Sequence, residues 1–283
     1  SIIDAEGSED EKAMLYTSLY HTMINPSIYM DVDGQYRGLD HNIHRAEDFT
    51  NYTVFSLWDT YRALHPLFNV LQTRRNADMV QSMLKHSEQS VHGALPVWSH
   101  HGNENWCMIG YHAVSVLSDA YAKGVVSQAE PLLKAMQRSS TIPYYVNLDD
   151  YMALGYVPFD KNNGCVSITM EYAYDDWAIY QAALKAGDDA TAESYKHRAQ
   201  NWKNTFDTQL GFARPKMADG VWKVPFSLFD TEGEGFVEGN SWVYSFYVPH
   251  DVKGLIAAMK GDKQFIANLD TLFVMHLPAE FFE

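Results

Sequence analysis

Apolar side chains recur every three to four residues along most of this chain, which is the spacing of amphipathic helices. The longest such run covers residues 167–186 and is followed by Gly187, a residue typical of helix ends. Near the start of the chain, Ser8 and Glu11 have the spacing of a capping box and predict a helix that continues to about Ile24. Further helices are predicted over residues 53–71, 77–90, 104–123 (with Gly124 as the C-terminal stop), 190–206 and, from a second capping box formed by Ser127 and Glu130, after residue 127.

Two kinds of segment interrupt the helical pattern. Residues 212–224 place Asp219-Gly220 between two apolar runs and predict a β-hairpin. Residues 30–48 and 96–105 have no helical period and are predicted to be loops. Helices paired through short turns are typical of α/α barrels and helical solenoids. The sequence contains no repeat of fixed period, which favours the barrel.

Composition excludes several classes of function. The net charge of −15 and the lack of a basic stripe argue against a nucleic-acid partner, because such proteins displace counterions with clustered Lys and Arg. No stretch approaches the roughly 20 apolar residues of a membrane span. Cys107 and Cys165 are too few for a disulfide framework. The 7 Trp and 18 Tyr residues supply rings that stack on sugars, although any single ring is ordinarily a core residue.

Two familiar metal-binding patterns fail on inspection. Residues 31–34 open like a calcium loop, but Tyr36 and Asn42 occupy the positions where a glycine and a bidentate glutamate belong. His100 and His101 lack the spacing of the His-Glu-x-x-His motif. Both segments are therefore interpreted as turns or polar loops.

Residues 166–177 hold the most informative cluster of the chain. Glu171 lies among large aromatic side chains, which can desolvate a carboxylate and favour its protonated form, as a general acid requires. On a helix, Glu171 shares a face with Tyr174 and Asp175. This combination is typical of a sugar site. The three rings are those of Tyr172, Tyr174 and Trp177.

A structural interpretation of the same cluster is equally open. The segment also fits an ordinary amphipathic helix whose rings lie in the core and whose Asp175 and Asp176 face water. A carboxylate in the first turn of a helix has its charged form favoured by the helix dipole. The pattern alone leaves the protonation state of Glu171 undecided.

Two further clusters combine groups that bind sugars or metals. Trp58, Asp59 and Arg62 are predicted to share a helix face and could clamp a sugar; the alternative is a surface ion pair beside a core tryptophan. Glu238 and Asn240 offer the hard oxygens that calcium prefers; the alternative is that Asn240 caps a helix.

Together these clusters resemble glycoside hydrolase family 92, the calcium-dependent exo-acting α-mannosidases. The resemblance covers nearly the whole chain, and its motifs are long and ordered as in the family. The matching segments are 49–66, 108–116, 155–158, 170–177, 238–240 and 247–251.

The resemblance implies an all-α fold that is part of an (α/α)6 barrel of paired antiparallel helices, with one short β-hairpin insertion. Residues 1–283 would form part of the catalytic barrel domain. In the family an N-terminal β-sandwich precedes this barrel. The sandwich and the C-terminal remainder of the barrel, which supplies the general base, are expected to lie outside this chain and to be required for a complete site.

The resemblance also implies an inverting, calcium-assisted hydrolysis of terminal α-linked mannose from glycans, including N-glycan degradation, by a secreted or periplasmic enzyme. Glu171 matches the general acid, and Glu238 and Asn240 match residues at Ca2+. Val243 stands where many bacterial members have Gln, an oxygen donor. The expected substrate-binding residues are Trp58, Asp59, Arg62, His112 and Asp175.

Two other classes of function remain open. One is another (α/α)6 glycosidase, such as a glucosidase or trehalase, which also uses paired carboxylates and needs no calcium. The other is a non-catalytic carbohydrate-binding remnant. We expect Trp58, Asp59, Glu171, Glu238 and Asn240 to converge on one pocket if the leading interpretation is right.

Overall fold

The computed structural model describes residues 3–276, and helices dominate this part of the chain. The helices are α1 (Glu9–Thr22), α2 (Leu57–Thr60), α3 (Leu64–Leu71), α4 (Thr73–Gln89), α5 (Ala113–Ala122), α6 (Ala129–Ser139), α7 (Leu148–Leu154), α8 (Cys165–Ala186), α9 (Asp189–Arg198), α10 (Ser241–Tyr244), α11 (Val252–Ala258) and α12 (Asp262–Val274), with a 3-10 helix at Asn201–Thr205. The strands are β1 (Ser27–Ile28), β2 (Gln35–Arg37), β3 (Ile43–Arg45), β4 (Tyr52–Thr53), β5 (Phe55–Ser56), β6 (Trp98–His100), β7 (Asn103–Glu104), β8 (Phe206–Asp207) and β9 (Phe212–Ala213).

The chain divides into two compact units. The first comprises the described residues through Ile142 together with Ala178–Tyr195, and the second comprises Pro143–Trp177 with the described residues from Lys196 onward. The first unit therefore contains strands β1 to β7 and helices α1 to α6, and the second contains α7 and α10 to α12.

The predicted ends of two helices are confirmed. Ser8 caps α1, accepting from the Glu11 N–H at 3.3 Å while the Glu11 carboxylate accepts the Ser8 N–H at 2.8 Å. Gly187 follows α8 with φ 75°, the left-handed conformation that glycine adopts without strain. The second capping box is wrong, because Gln128 is the N-cap of α6 and Glu130 stands one position too early to close a box.

The helix predicted over residues 53–71 is wrong in its first half. Phe55 and Ser56 form β5, which pairs antiparallel with β6. Val54 has φ 64°, which no helix accommodates, and Ala63 interrupts the helix again at φ −135°. Strand pairing with a distant segment has overridden the local helical period, a common outcome for short apolar runs.

The helices predicted over 104–123 and 190–206 are too long for the same physical reason. Glu104 belongs to β7, and left-handed backbone at Trp106 and Met108 delays α5 until Ala113. Residues 190–206 contain the end of α9, the 3-10 helix and the first residue of β8.

The expected single hairpin insertion understates the sheet content. Residues 212–224 do form a hairpin, in which the Met217 N–H bonds to the Val221 carbonyl at 2.8 Å and Gly220 adopts φ 85°. The predicted loops 30–48 and 96–105 also contain hairpins. Within residues 3–276 the strands form four small sheets: β1-β4, β2-β3, β5-β6-β7 and β8-β9.

The first unit buries a chain of hydrogen-bonded polar side chains, which we call the polar relay. Nδ1 of His65 donates to Oδ1 of Asn76 at 2.8 Å, and Nδ2 of Asn76 donates to Oδ1 of Asn69 at 2.6 Å. Nδ2 of Asn69 donates to Oδ2 of Asp119 at 2.7 Å, which also accepts from Lys123 at 2.7 Å. The relay joins α3, α4 and α5 from the core to the surface.

None of the helices that the structure describes has the length and apolar character needed to cross a bilayer.

Three histidines, two of them buried and His250 half-buried, make stability depend on pH. Burial lowers the pKa of His65 to about 4, of His86 to about 3 and of His250 to about 4, because their charged forms would be desolvated. Below pH 6.5 these histidines become protonated in the unfolded chain but stay neutral in the folded chain, because their pKa values are lower there. We therefore expect stability to fall as the pH decreases from 6.5 towards 4, by about 2 kcal/mol per histidine at pH 5.

Urea unfolding at pH 7 and at pH 5 measures this loss of stability. Both pH values lie above the range in which most carboxylates titrate. His21→Gln, at an exposed position, gives the matched control substitution. An unfolding free energy that is equal at the two pH values would contradict the neutral state of the three histidines in the folded protein.

Candidate active site

The residues singled out in the sequence fall into both units. Glu171, Asp175, Glu238 and Asn240 belong to the second unit, and Trp58, Asp59, Arg62 and His112 belong to the first. Each group is described within its own unit. The expected convergence of the two groups on one pocket stays a prediction.

Glu171 lies in the second turn of α8 and is 1% exposed. Oη of Tyr244 donates to Oε1 of Glu171 at 3.3 Å. In its protonated form, a buried carboxyl group held by a phenol is a suitable proton donor, since water is excluded and one oxygen is fixed as an acceptor. The predicted burial of Glu171 is confirmed.

Tyr244 reaches Glu171 because of the short helix α10. Asn240 caps this helix, its Oδ1 accepting the Val243 N–H at 3.2 Å, and Tyr244 is the last helical residue. A Cβ atom on Gly239 would lie 3.0 Å from the Tyr244 ring, so glycine allows the close approach of ring and backbone. The alternative interpretation of Asn240, as a helix cap, is thus confirmed, and its role at calcium stays a prediction.

The segment that precedes α10 is docked on the first turn of α8. The Val166 N–H bonds to the Gly235 carbonyl at 2.9 Å, and the Val237 N–H bonds to Oγ of Ser167 at 3.0 Å. Phe236, between them, is fully buried. These contacts place Glu238 and Asn240 on a segment fixed to the helix that carries Glu171.

The same segment offers oxygen atoms to a cation. Glu238 is exposed and has φ 46°, and its N–H bonds to the carboxylate of Glu232 at 3.0 Å. These donors fit calcium in type, but calcium takes about six to eight oxygens, and Val243 contributes none. Among residues 3–276 no three His, Cys, Asp or Glu side chains cluster as a metal site. Glu238 and Asn240 would therefore need further ligands.

Asp175 and Asp176 are both completely buried, so the interpretation in which they face water is wrong. Asp176 accepts from Arg198 through both oxygens, Nη2 to Oδ1 at 2.9 Å and Nε to Oδ2 at 3.0 Å. Oη of Tyr151 donates to Oδ2 at 2.8 Å. The helical pattern of the sequence did not indicate this burial, because the arginine that pairs with Asp176 lies on another helix, α9. Asp176 thereby gains a structural role that the sequence pattern did not suggest.

The rings around Glu171 in the sequence take part in two packing clusters. Tyr172 is fully buried and packs against Tyr145 and Tyr151, with centroids 6.3 and 5.2 Å away. Tyr174 and Trp177 contact each other, and each contacts the ring of His250. Tyr172 is therefore a core residue of the second unit, whereas Tyr174 and Trp177 are half-buried.

In the first unit, α2 presents Trp58 half-buried and Asp59 exposed. The hydroxyl of Ser56 donates to Oδ2 of Asp59, which ties the carboxylate to the end of β5. The predicted helix face shared with Arg62 is wrong, because α2 ends at Thr60. Arg62 lies in the following turn, with its guanidinium 5.0 Å from the centroid of the Tyr61 ring.

His112 is 1% exposed and immediately precedes α5. Its ring stacks on Tyr61 with centroids 4.2 Å apart and planes 7° from parallel. Gly110 adopts φ 78°, and a Cβ there would lie 2.4 Å from Nε2 of His112. The histidine is thus clamped between a ring and a backbone turn.

Sequence reasoning assigned no role to Tyr244 or Tyr61. Tyr244 stands four residues after Asn240, and a helix brings such a pair to neighbouring positions, so a cap at Asn240 was the available signal. The stacking of Tyr61 on His112 joins residues 51 apart in the sequence and has no local signal.

Comparison with known proteins gives a consistent result. The sequence model described as "Glycosyl hydrolase family 92 catalytic domain" matches residues 1–281. The family GH92 α-mannosidase BT3965 of Bacteroides thetaiotaomicron is 45% identical, with a TM-score of 0.94, over 97% of this chain and 37% of that one. The same protein has also been solved in complex with mannoimidazole.

Two more relatives extend the comparison. The family GH92 inverting mannosidase BT2199 of Bacteroides thetaiotaomicron is 33% identical, with a TM-score of 0.89, over 98% of this chain and 38% of that one. An uncharacterized secreted glycosidase of the fungus Arthroderma benhamiae is 24% identical over an alignment of 202 positions, which covers 58% of this chain and 26% of the fungal protein. The chain thus spans little more than a third of the solved relatives, and about a quarter of the fungal one.

Proposed function

Because this chain belongs to glycosyl hydrolase family 92, we propose that it forms part of an (α/α)6 catalytic barrel of an α-mannosidase that removes terminal α-linked mannose from glycans with inversion. The observation that carries the proposal is the buried Glu171 on α8, which accepts a hydrogen bond from Tyr244. The α-mannosidase with 45% identity and the inverting mannosidase with 33% identity support the same class of reaction.

Glu171 is the proposed general acid. Tyr244 donates to Oε1, so in the protonated carboxyl group the transferable proton resides on Oε2. Proton transfer from Oε2 to the glycosidic oxygen releases the leaving group as an alcohol. The tyrosine keeps the carboxyl group oriented while its charge changes.

Inversion also requires a general base, which the family resemblance assigns to a segment outside this chain. A base and an acid about 6.5 to 9.5 Å apart leave room for the attacking water between them. We propose that Trp58, Asp59, Arg62, His112 and Asp175 take part in binding the terminal mannose.

Glu238 and Asn240 would hold a calcium ion, together with oxygens from elsewhere in the protein. When bound, the ion supplies contacts to sugar hydroxyls that favour distortion of the ring towards the transition state. Asn240 can serve both purposes, because an amide oxygen has two lone pairs and Val243 N–H occupies one of them.

We propose a secreted or periplasmic location, in agreement with the similarity to the secreted glycosidase of Arthroderma benhamiae.

The function is tested by incubating the full-length protein with an α-linked dimannoside and following the products by proton NMR. The first mannose released should be the β-anomer. Release of α-mannose would contradict inversion, and hydrolysis of α-glucosides alone would favour another glycosidase. Binding of mannoimidazole without hydrolysis would instead indicate a carbohydrate-binding remnant.

Removal of calcium gives an independent prediction. We expect the full-length enzyme to lose activity in a chelator and to regain it with added calcium, because Glu238 and Asn240 need the ion to contact the sugar. Val243→Gln, at a 52% exposed position of α10, should tighten calcium binding by adding an oxygen donor.

Titration calorimetry of the two forms measures this difference. The exposed Val252 of α11 gives the matched control, because Val252→Gln should leave calcium affinity unchanged. Equal affinities for the wild type and Val243→Gln would place Val243 outside the metal shell, and full activity in chelator would remove calcium from the proposal.

A further inference from the structure

The buried carboxylate of Glu104, in the first unit, gathers an unusual set of backbone donors. Its side chain is 5% exposed. Oε2 accepts the Val97 N–H at 3.0 Å, and Oε1 accepts the N–H groups of Trp98 and Trp106 at 2.8 and 2.9 Å. The three bonds join both sides of the β6-β7 hairpin and the chain that leaves it.

The charge of Glu104 is balanced mainly by these backbone dipoles. The nearby His86 has Nε2 at 3.4 Å from Oε2, but burial lowers the pKa of His86 to about 3, so this ring is neutral near pH 7. Burial also raises the pKa of Glu104, and the backbone hydrogen bonds oppose that rise. Burying a carboxylate costs free energy unless hydrogen bonds compensate for the lost water. Here the compensating bonds come from backbone N–H groups, so the carboxylate holds a particular backbone geometry.

The backbone that Glu104 holds is strained. His101, Trp106 and Met108 have φ values of 46°, 54° and 65°, in the left-handed region that bulky residues rarely adopt. Such conformations persist when surrounding contacts over-determine them, and they cluster at binding sites. The Glu104 carboxylate bonds directly to the N–H of one of them, Trp106.

The same hairpin is connected to the residues proposed to bind mannose. β6 pairs with β5, placing Ser56 opposite Trp98, and the Ser56 hydroxyl holds Asp59. On the other side, the strained segment ends at Gly110, which packs against the ring of His112. Glu104 therefore lies between the segments that carry Asp59 and His112, two of the residues proposed to bind mannose.

We propose that Glu104 is a positioning residue that holds segment 97–110 in its strained conformation. It thereby sets the ring of Trp106, which is half-buried and packs edge-on with the ring of His92, as a further sugar-contacting side chain. The inference rests on the proposed function. An indole face is suited to the apolar C–H surface of a pyranose ring. Trp106 would act on binding rather than on proton transfer.

Glu104→Gln in the full-length protein tests the positioning role. The amide keeps the shape of the side chain, but its NH2 group cannot accept, so at least one of the three backbone bonds is lost. Hydrogen exchange should accelerate by about tenfold or more at the amides of Val97, Trp98 and Trp106. The exposed Glu88 gives the matched control Glu88→Gln, which should change neither exchange nor kinetics.

Kinetics on an α-linked dimannoside test the role of the ring. We expect Glu104→Gln to raise KM about tenfold with kcat changed by less than about threefold, and Trp106→Ala to do the same. The double variant should be no worse than either single variant, because both act through one contact. This non-additivity is a result that general destabilisation would not produce.

The outcomes separate this inference from the proposed function. Unchanged amide exchange in Glu104→Gln overturns the positioning role whatever the substrate is. An unchanged KM in Trp106→Ala overturns the sugar contact, even if Glu104→Gln does not fold. A wild type that is inactive on every mannoside refutes the proposed function, while the exchange experiment still decides the role of Glu104.

Discussion

In the full-length protein, Glu171→Gln is expected to lower the rate of hydrolysis of an unactivated α-linked dimannoside by about 10²–10⁴-fold, the usual contribution of a general acid. The amide retains an oxygen that accepts from Tyr244, so the packing at this buried position should survive. What it loses is the transferable proton. Steady-state kinetics with the dimannoside and with 4-nitrophenyl α-mannoside measure the effect.

The leaving group provides the internal control. 4-Nitrophenolate leaves without protonation, so the variant should retain much more activity on the aryl mannoside than on the dimannoside. The exposed Glu130 supplies a matched substitution, Glu130→Gln, which should leave both rates unchanged. Equal losses on both substrates would indicate that Glu171 supports the fold rather than the protonation step.

Replacing Arg198 with methionine is expected to lower the free energy of unfolding by about 3–5 kcal/mol, because it removes the guanidinium from a buried carboxylate. Asp176 is completely buried, and both of its oxygens accept from Arg198. Tyr151 would still donate, but a neutral hydroxyl does not replace a cation. Urea unfolding of the two forms measures the loss.

A double variant distinguishes the charge from the packing. Arg198→Met combined with Asp176→Leu should recover much of the lost stability, since an apolar pair often replaces a buried ion pair at little cost. The exposed pair of Lys12 and Glu9 gives the comparison: Lys12→Met should cost less than about 1 kcal/mol. Equal losses for Lys12→Met and Arg198→Met would contradict the importance of the buried pair.

The parts of the fold that follow from local chemistry could be predicted. The ends of α1 and α8 were found because a capping box and a C-terminal glycine act within a few residues of the helix. The strand at Phe55 could not be found in this way, since its partner Ser99 is 44 residues away. The same limit hid the start of α5, where left-handed backbone at Met108 depends on contacts made by the whole loop.

In the candidate site, too, the local features could be predicted and the long-range contacts could not. Glu171 was identified from its neighbours and its resemblance to a family motif, and its burial is confirmed. Tyr244, which orients it, comes from another helix, 73 residues along the chain. One interpretation of the sequence placed Asp176 in water. Its burial could not be read from the sequence, because the hydroxyl and the guanidinium that bind it come from two other helices, α7 and α9.

The polar relay of the first unit has an evolutionary consequence. Asn69 and Asn76 each accept from one neighbour and donate to the next. Changing Asn76 alone leaves the donor of His65 and the acceptor of Asn69 orphaned in the core, and changing Asn69 alone orphans the donor of Asn76. Replacing all the buried members together with apolar side chains of similar volume can be nearly neutral. Any evolutionary path that leads from the polar relay to an apolar core by changing one residue at a time therefore passes through a less fit sequence. The members, His65, Asn69, Asn76 and Asp119, are therefore expected to be inherited together or lost together as lineages diverge.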